Sequence, residues 1–131
     1  MKRVLAVLLA ALTITIVGGV GTAQANTGVG SGPYTRAQLN RFSDGSGEWM
    51  FVYGASYCSA STTDTADFSW SSMPSGWDND ISRIYDAYNC DVKLYDLTWF
   101  SGYATGFVNY GAGGLYVGNS YNNIMSSFQL S

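Results

Sequence analysis

The sequence predicts an all-β domain, with short strands folded into a sandwich or barrel. Three observations carry this. From Glu48 onward the chain is dense in aromatic side chains, which suit a pleated, half-buried surface. Gly102, Gly106, Gly111, Gly113, Gly114 and Gly118 punctuate the second half at short intervals, as turns between strands do. No stretch beyond residue 25 carries an apolar period of 3.6 residues, so helices are not expected.

The elements follow in order. Lys2 and Arg3 precede a mostly apolar run from Val4 to Val17, and Ala23-Gln24-Ala25 is a small-x-small cleavage site. Residues 1–25 therefore read as a secretory signal peptide, and the mature protein is expected outside the cell. The apolar run is short for a bilayer span, and no later run is long enough, so membrane insertion after cleavage is not expected. Removing 25 of 131 residues leaves 106, the size of one small domain. Residues 26–47 are rich in Gly, Ser, Asn and Thr, with little apolar material. They read as a flexible leader with one short helical turn over Thr35–Arg41. The domain proper is expected over 48–131. Glu48–Tyr53 is a strand by propensity, and Cys90–Asp96 alternates apolar and polar residues, as a half-buried strand does. Tyr103–Tyr110, Leu115–Val117 and Met125–Leu130 complete the set.

Charge and composition exclude several functions. After the first 25 residues the basic residues are Arg36, Arg41, Arg83 and Lys93, against nine acidic ones, a net charge of −5. Such a chain is poorly suited to nucleic acid, which needs phosphate neutralisation, or to anionic membranes. The chain has no histidine, which removes Ser-His and Cys-His nucleophiles and imidazole zinc sites. Asp78 with Asp80, or Asp64 with Asp67, are the available carboxylate pairs for glycoside hydrolysis. Adjacent loop aspartates more often serve turns or cations, so a non-enzymatic protein is expected. Gly111–Gly114 lacks the Lys-Ser/Thr and the helix of a phosphate loop. Cys58 and Cys90 are the two cysteines, and in an exported chain they are expected to pair. That bridge closes a loop of about 33 residues and is worth roughly 3–4 kcal/mol. The aromatics are expected to fill the core and make cross-strand pairs, with Trp70, Trp99 and Tyr103 the exceptions because they lie near loops.

One phrase occurs twice. Trp77-Asp78-Asn79-Asp80-Ile81-Ser82-Arg83-Ile84 returns 44 residues later as Tyr121-Asn122-Asn123-Ile124-Met125-Ser126-Ser127-Phe128. Each copy runs aromatic, two Asp/Asn, two variable positions, Ser, one further residue, then an apolar residue. The same offset pairs Phe51 with Tyr95, so the interval from aromatic to phrase matches in both copies. A repeat of this length indicates a duplicated supersecondary unit. Carbonyl, amide, carboxylate and hydroxyl oxygens at fixed intervals suit a hard cation such as calcium, although Asp, Asn and Ser also favour plain turns.

These residues resemble the βγ-crystallin family. Its unit is a Greek-key motif of about forty residues that opens on an aromatic, six residues and a glycine. It closes near [Asn/Asp]-[Asn/Asp]-x-x-[Ser/Thr]-Ser. The second copy matches both ends, through Tyr95 to Gly102 and through Asn122-Asn123-Ile124-Met125-Ser126-Ser127. The first copy departs from the pattern twice. Arg83 replaces the last serine, which alters the expected packing of that motif, and after Phe51 and six residues comes Cys58 rather than glycine. The hairpin there is expected to differ, reshaped by the Cys58–Cys90 bridge. The resemblance covers about 48–131, with motif 1 over about 48–88 and motif 2 over about 89–131. It implies a Greek-key β-sandwich.

The resemblance also implies two calcium sites at one end of the sandwich, each shared between the motifs. The ligands it carries over are the Ser82 and Ser126 hydroxyls, the backbone carbonyls of Asp80 and Ile124, and the side chains of Asp78, Asn79, Asn122 and Asn123. Low ligand charge predicts one or two weakly bound Ca2+ ions, on the order of 10⁻⁵–10⁻³ M. The role expected first is calcium-stabilised structure outside the cell, or contact with an extracellular surface component. Inhibition of a secreted metalloprotease is the alternative, through the Cys58–Trp77 segment, although such inhibitors on this fold usually carry a second disulfide. An antimicrobial or killer-toxin-like role is the third, and the acidic balance disfavours its cationic form.

Overall fold

The computed structural model describes residues 26–59 and 65–131. The expected signal peptide and Asp64 lie outside them. Among the described residues the chain forms nine strands and no helix. They are β1 (Thr27–Gly30), β2 (Tyr34–Asn40), β3 (Trp49–Gly54), β4 (Phe68–Trp70), β5 (Arg83–Asp86), β6 (Val92–Leu97), β7 (Ser101–Ala104), β8 (Leu115–Tyr116) and β9 (Ser127–Leu130).

Two sheets form, in the orders β1-β3-β2-β5-β8 and β4-β9-β6-β7. Leaving β1 aside, they have the same plan. The first sheet takes β3, β2 and β5 from the first half and borrows β8 from the second. The other takes β7, β6 and β9 from the second half and borrows β4 from the first. Each half is thus a Greek key that lends one strand to its twin. One apolar cluster joins the sheets: Leu39, Met50, Val52 and Ile84 from one, Val92, Leu94, Phe128 and Leu130 from the other, with Trp77, Ile81 and Met125 between. The outer face of the first sheet carries aromatic pairs, Phe51 on Tyr53 and Trp49 on Tyr85.

The structure corrects the reading of residues 26–47. They are neither a flexible leader nor a helical turn, but contain β1 and β2. β2 lies inside the sheet, antiparallel to both β3 and β5. Its alternation is hidden by a bulge between Thr35 and Ala37, which buries two consecutive residues, Arg36 and Ala37. Its buried polar groups are satisfied from neighbouring loops. Arg36 donates to the Ser56 carbonyl and hydroxyl at 2.8 and 3.0 Å, and Asn40 donates to the Glu48 carbonyl at 3.0 Å. β1 pairs parallel to β3, and Thr27 accepts a hydrogen bond from the buried Trp77 indole at 3.0 Å.

The opening of the repeat is corrected with it. Leu39 faces Ile84 in the first sheet, and Leu94 faces Phe128 in the second. Leu39 and Leu94 are therefore equivalent, 55 residues apart, while the closing phrases are 44 apart. The first half is eleven residues longer, between β3 and β4. Phe51 lies on β3, the second strand of its key, whereas Tyr95 lies on β6, the first of its own. The true counterpart of Tyr95-to-Gly102 is Asn40-to-Gly47. Gly47 and Gly102 share a left-handed backbone, φ 78° and 77°, which disfavours a side chain. Cys58 lies beyond β3 and does not shape that hairpin. It is bonded to Cys90 and ties the start of the longer β3–β4 connection to the turn between β5 and β6. Tyr103–Tyr110 is strand only as far as Ala104, after which Val108 makes an isolated bridge to Val92.

Candidate metal centre

The two phrases meet across a local pseudo-twofold built from backbone. Asn79 donates its N–H to the Met125 carbonyl, and Asn123 donates to the Ile81 carbonyl, both at 3.0 Å. Asn79 and Asn123 are equivalent, and both adopt left-handed backbone, φ 55° and 57°. Asn tolerates that conformation better than most residues, which explains its place at the second position of both copies. The serines are equally matched. Ser82 N–H donates to Asn40 O and Ser126 N–H to Tyr95 O, at 2.9 and 2.8 Å. Their own carbonyls accept from Val117 and Met73, at 3.0 and 2.7 Å.

Oxygen atoms gather here in a pattern that follows from this pairing. The fourth-position carbonyls, Ile81 and Met125, are used. The third-position carbonyls, Asp80 and Ile124, accept no hydrogen bond from any described residue. The Ser82 hydroxyl donates across the motifs to Asn123 Oδ1 at 3.1 Å. Asn122 Oδ1 is buried and has no hydrogen-bond partner among the described residues, which is costly unless something else approaches it. Carbonyl, amide and hydroxyl oxygens are the donor types that a hard cation takes. Among the described residues no three His, Cys, Asp or Glu side chains come together to hold a metal, so neutral oxygens would dominate the shell.

The two copies differ in their side chains. The counterpart contact, Ser126 to Asn79, does not form; Asn79 instead donates to Asp78 Oδ2 at 3.2 Å. Asp80 lies 3.2 Å from Arg41, which also meets Glu48 at 3.1 Å and the Gly76 carbonyl. The Arg41 guanidinium sits 4.7 Å from the centre of the Trp77 ring. In the second copy Tyr103 stacks on Tyr121, centroids 5.3 Å apart and nearly parallel, with the hydroxyls 3.3 Å apart. That hydrogen bond raises the Tyr121 pKa above the ordinary phenol value.

No protein-family model and no curated protein matches the sequence. Solved structures do. One, studied for the evolution of the eye lens βγ-crystallin domain fold, aligns with a TM-score of 0.56 at 14% identity, covering 79% of this chain and 92% of that one. This chain has the βγ-crystallin domain fold. A double mutant of a βγ-crystallin domain from Clostridium beijerinckii aligns at 0.48 and 14% identity, covering 74% of this chain and 97% of that one. The fold accounts for the strand exchange between sheets and for the two phrases lying side by side.

Arg83, the departure from the βγ-crystallin closing pattern, works as a longer-reaching tether. In the second half, Ser127 Oγ accepts from Phe100 N at 3.2 Å and donates to Leu97 O at 2.6 Å, holding the β6–β7 hairpin folded over. In the first half the equivalent pair, Gly45 N and Phe42 O, bond directly at 3.0 Å. Arg83 instead reaches Ser43 O on the same hairpin at 2.9 Å and Gly114 O at 2.8 Å.

Two other features complete the surface. A pocket of about 280 Å³ is lined by Thr35, Gln38, Tyr85 and Asp86 among others. The Asp86 carboxylate is engaged by Tyr110 N and Gly111 N, both at 2.6 Å, so it anchors the glycine-rich loop. Burial raises its pKa, and those two N–H groups oppose the rise. Trp99 is 76% exposed and Tyr103 is 56% exposed, whereas Trp70 is half-buried against Phe68 and the core. Arg41 went unnoticed in the sequence. Its role depends on Asp80 and Glu48, which folding brings together from different loops.

Proposed function

We propose that this is a secreted, non-enzymatic protein of βγ-crystallin fold that binds calcium weakly where its two phrases meet, and that the ion stabilises the fold outside the cell. The observation that carries this reading is the set of oxygens left over by the backbone pairing. Among the described residues the Asp80 and Ile124 carbonyls accept no hydrogen bond, and Asn122 Oδ1 is buried without a partner. Ser82 Oγ and Asn123 Oδ1 adjoin from opposite motifs. Asp78 is the acidic side chain at the head of the phrases, so binding on the order of 10⁻⁵–10⁻³ M is expected. The Cys58–Cys90 disulfide supports an oxidising compartment.

Calcium at ten times its dissociation constant contributes roughly 1.4 kcal/mol, or roughly 6–11 °C in melting midpoint for a domain of this size. Thermal melts in 10 mM calcium and in chelator, with magnesium as control, test this. Ser82→Arg with Ser126→Arg should abolish the shift. A native protein whose midpoint ignores calcium would sink the proposal. The inhibitor reading has less support, because part of Cys58–Trp77 is built into the second sheet as β4.

A further inference from the structure

The first phrase carries two acidic side chains, Asp78 and Asp80, yet its surroundings already contain a positive charge. Arg41 lies just beyond β2 and makes four contacts there: ion pairs to Asp80 at 3.2 Å and Glu48 at 3.1 Å, a hydrogen bond to the Gly76 carbonyl, and a cation–π contact on Trp77. Its fork is planar, permanently charged and partly buried, with a side-chain exposure of 25%. The structural register makes Asp96 the counterpart of Arg41, Tyr103 of Glu48, Ile124 of Asp80 and Tyr121 of Trp77. The second copy has therefore changed all four positions together. It has no arginine, Tyr103 covers Tyr121, and Asp96 accepts the Tyr103 N–H at 2.7 Å.

We infer that Arg41 is the resident cation of the first phrase. It neutralises and orders the Trp77–Ile84 copy as a divalent ion would, and leaves the protein one exchangeable calcium site instead of two. The remaining site is the one that uses Ser82 Oγ against Asn123 Oδ1. The inference rests on the calcium reading above, and it states that the site lost is the one that would set Asn79 against Ser126, while the first phrase still lends Ser82 to the site that remains. The symmetry is broken chemically: the Asp80 carboxylate is already neutralised by a guanidinium, and Asn79 has turned to Asp78 and away from Ser126.

The test is calorimetric titration with calcium chloride, together with thermal melts in chelator and in 10 mM calcium, on the mature protein and on Arg41→Gln and Arg41→Lys. The native protein should bind one equivalent. Arg41→Gln should melt about 5 °C or more lower in chelator, regain that loss in calcium but not in sodium of equal ionic strength, and bind a second equivalent. Arg41→Lys keeps the charge and should stay at one. If Arg41→Gln does not fold in chelator, refolding in calcium replaces the melt, and recovery supports the inference while failure to recover overturns it. An unchanged midpoint in chelator, a loss that calcium does not restore, or a second equivalent in Arg41→Lys also overturns it. Two equivalents in the native protein refute the inference and leave the calcium reading standing. None in the native protein and one in Arg41→Gln does the reverse.

Discussion

Arg83→Ser restores the residue that the closing pattern of the fold expects, and we predict that it destabilises the protein. In the second half the serine hydroxyl bridges Phe100 N and Leu97 O. In the first half Gly45 N and Phe42 O already bond to each other, so a serine at 83 has no gap to bridge. The substitution instead removes a guanidinium that donates to Tyr85 OH at 2.9 Å, Gly114 O at 2.8 Å, Ser43 O at 2.9 Å and Gly113 O at 3.2 Å. The contacts to Tyr85 and Gly114 are half-buried and count about 1 kcal/mol each. Those to Ser43 and Gly113 are exposed, and water replaces them at little cost. The guanidinium also lies over the Tyr85 ring at 5.2 Å, worth about 0.5 kcal/mol at such a site. The sum is about 2.5 kcal/mol, a fall in melting midpoint of roughly 10–20 °C. Melts in chelator measure it, and urea unfolding checks that the m-value is unchanged. An unchanged or raised midpoint would refute the reasoning, because it would mean that the serine pattern, and not the arginine tether, suits this hairpin.

Replacing Cys58 and Cys90 together by serine should cost roughly 3–4 kcal/mol in urea unfolding, since the bridge ties the start of the long β3–β4 connection to the turn between β5 and β6. A loss below about 1 kcal/mol would show that β4 already holds that connection. Gly102→Ala forces a side chain into a left-handed backbone and onto Asp96, whose oxygen would lie 2.0 Å from the new Cβ. It should cost about 1–2 kcal/mol, while Gly106→Ala, with open space around it, serves as the neutral control. Asp86→Asn should lower the midpoint at neutral pH, because one of the two backbone N–H donors then faces an amide N–H, at about 1–3 kcal/mol. The raised pKa of Asp86 means the folded state holds this proton more tightly than the unfolded chain. Its contribution is full below the ordinary value of 3.8 and is lost as pH rises through the folded value. The stability advantage of the native protein over Asp86→Asn should therefore shrink between pH 3 and pH 7, and a gap that widens would contradict the assignment.

Much of the second half was legible in sequence. Cys90–Asp96 shows a strand because its alternation matches a sheet with one buried face, and Val92 and Leu94 are indeed fully buried. Tyr95 to Gly102 marks a hairpin because a left-handed position there favours glycine. The doubled phrase was visible because local backbone geometry demands its residue types: Asn79 and Asn123 occupy left-handed turns, and Ser82 and Ser126 sit where the keys cross. The pairing of Cys58 with Cys90 was available from their number alone.

The first half was not legible in the same way, and the reason is physical. β2 has two buried apolar side chains, Ala37 and Leu39, and its bulge at Arg36 erases the period. It becomes a strand because β3 and β5 flank it and because Ser56 and Glu48 satisfy its buried polar groups. Those partners are 8 to 20 residues away, beyond any local pattern. The offset of 55 at the opening, against 44 at the close, is equally a property of sheet register. The sequence by itself determined the strand class, the repeat, the disulfide and the oxygen-bearing phrase. Only the tertiary structure decided which residues open the first key, that Arg83 does the work expected of a serine, and that Arg41 lies against Asp80 and Trp77. Each of these depends on side chains from different loops meeting in space, and their charges and carbonyls select one another only after the sheets have formed.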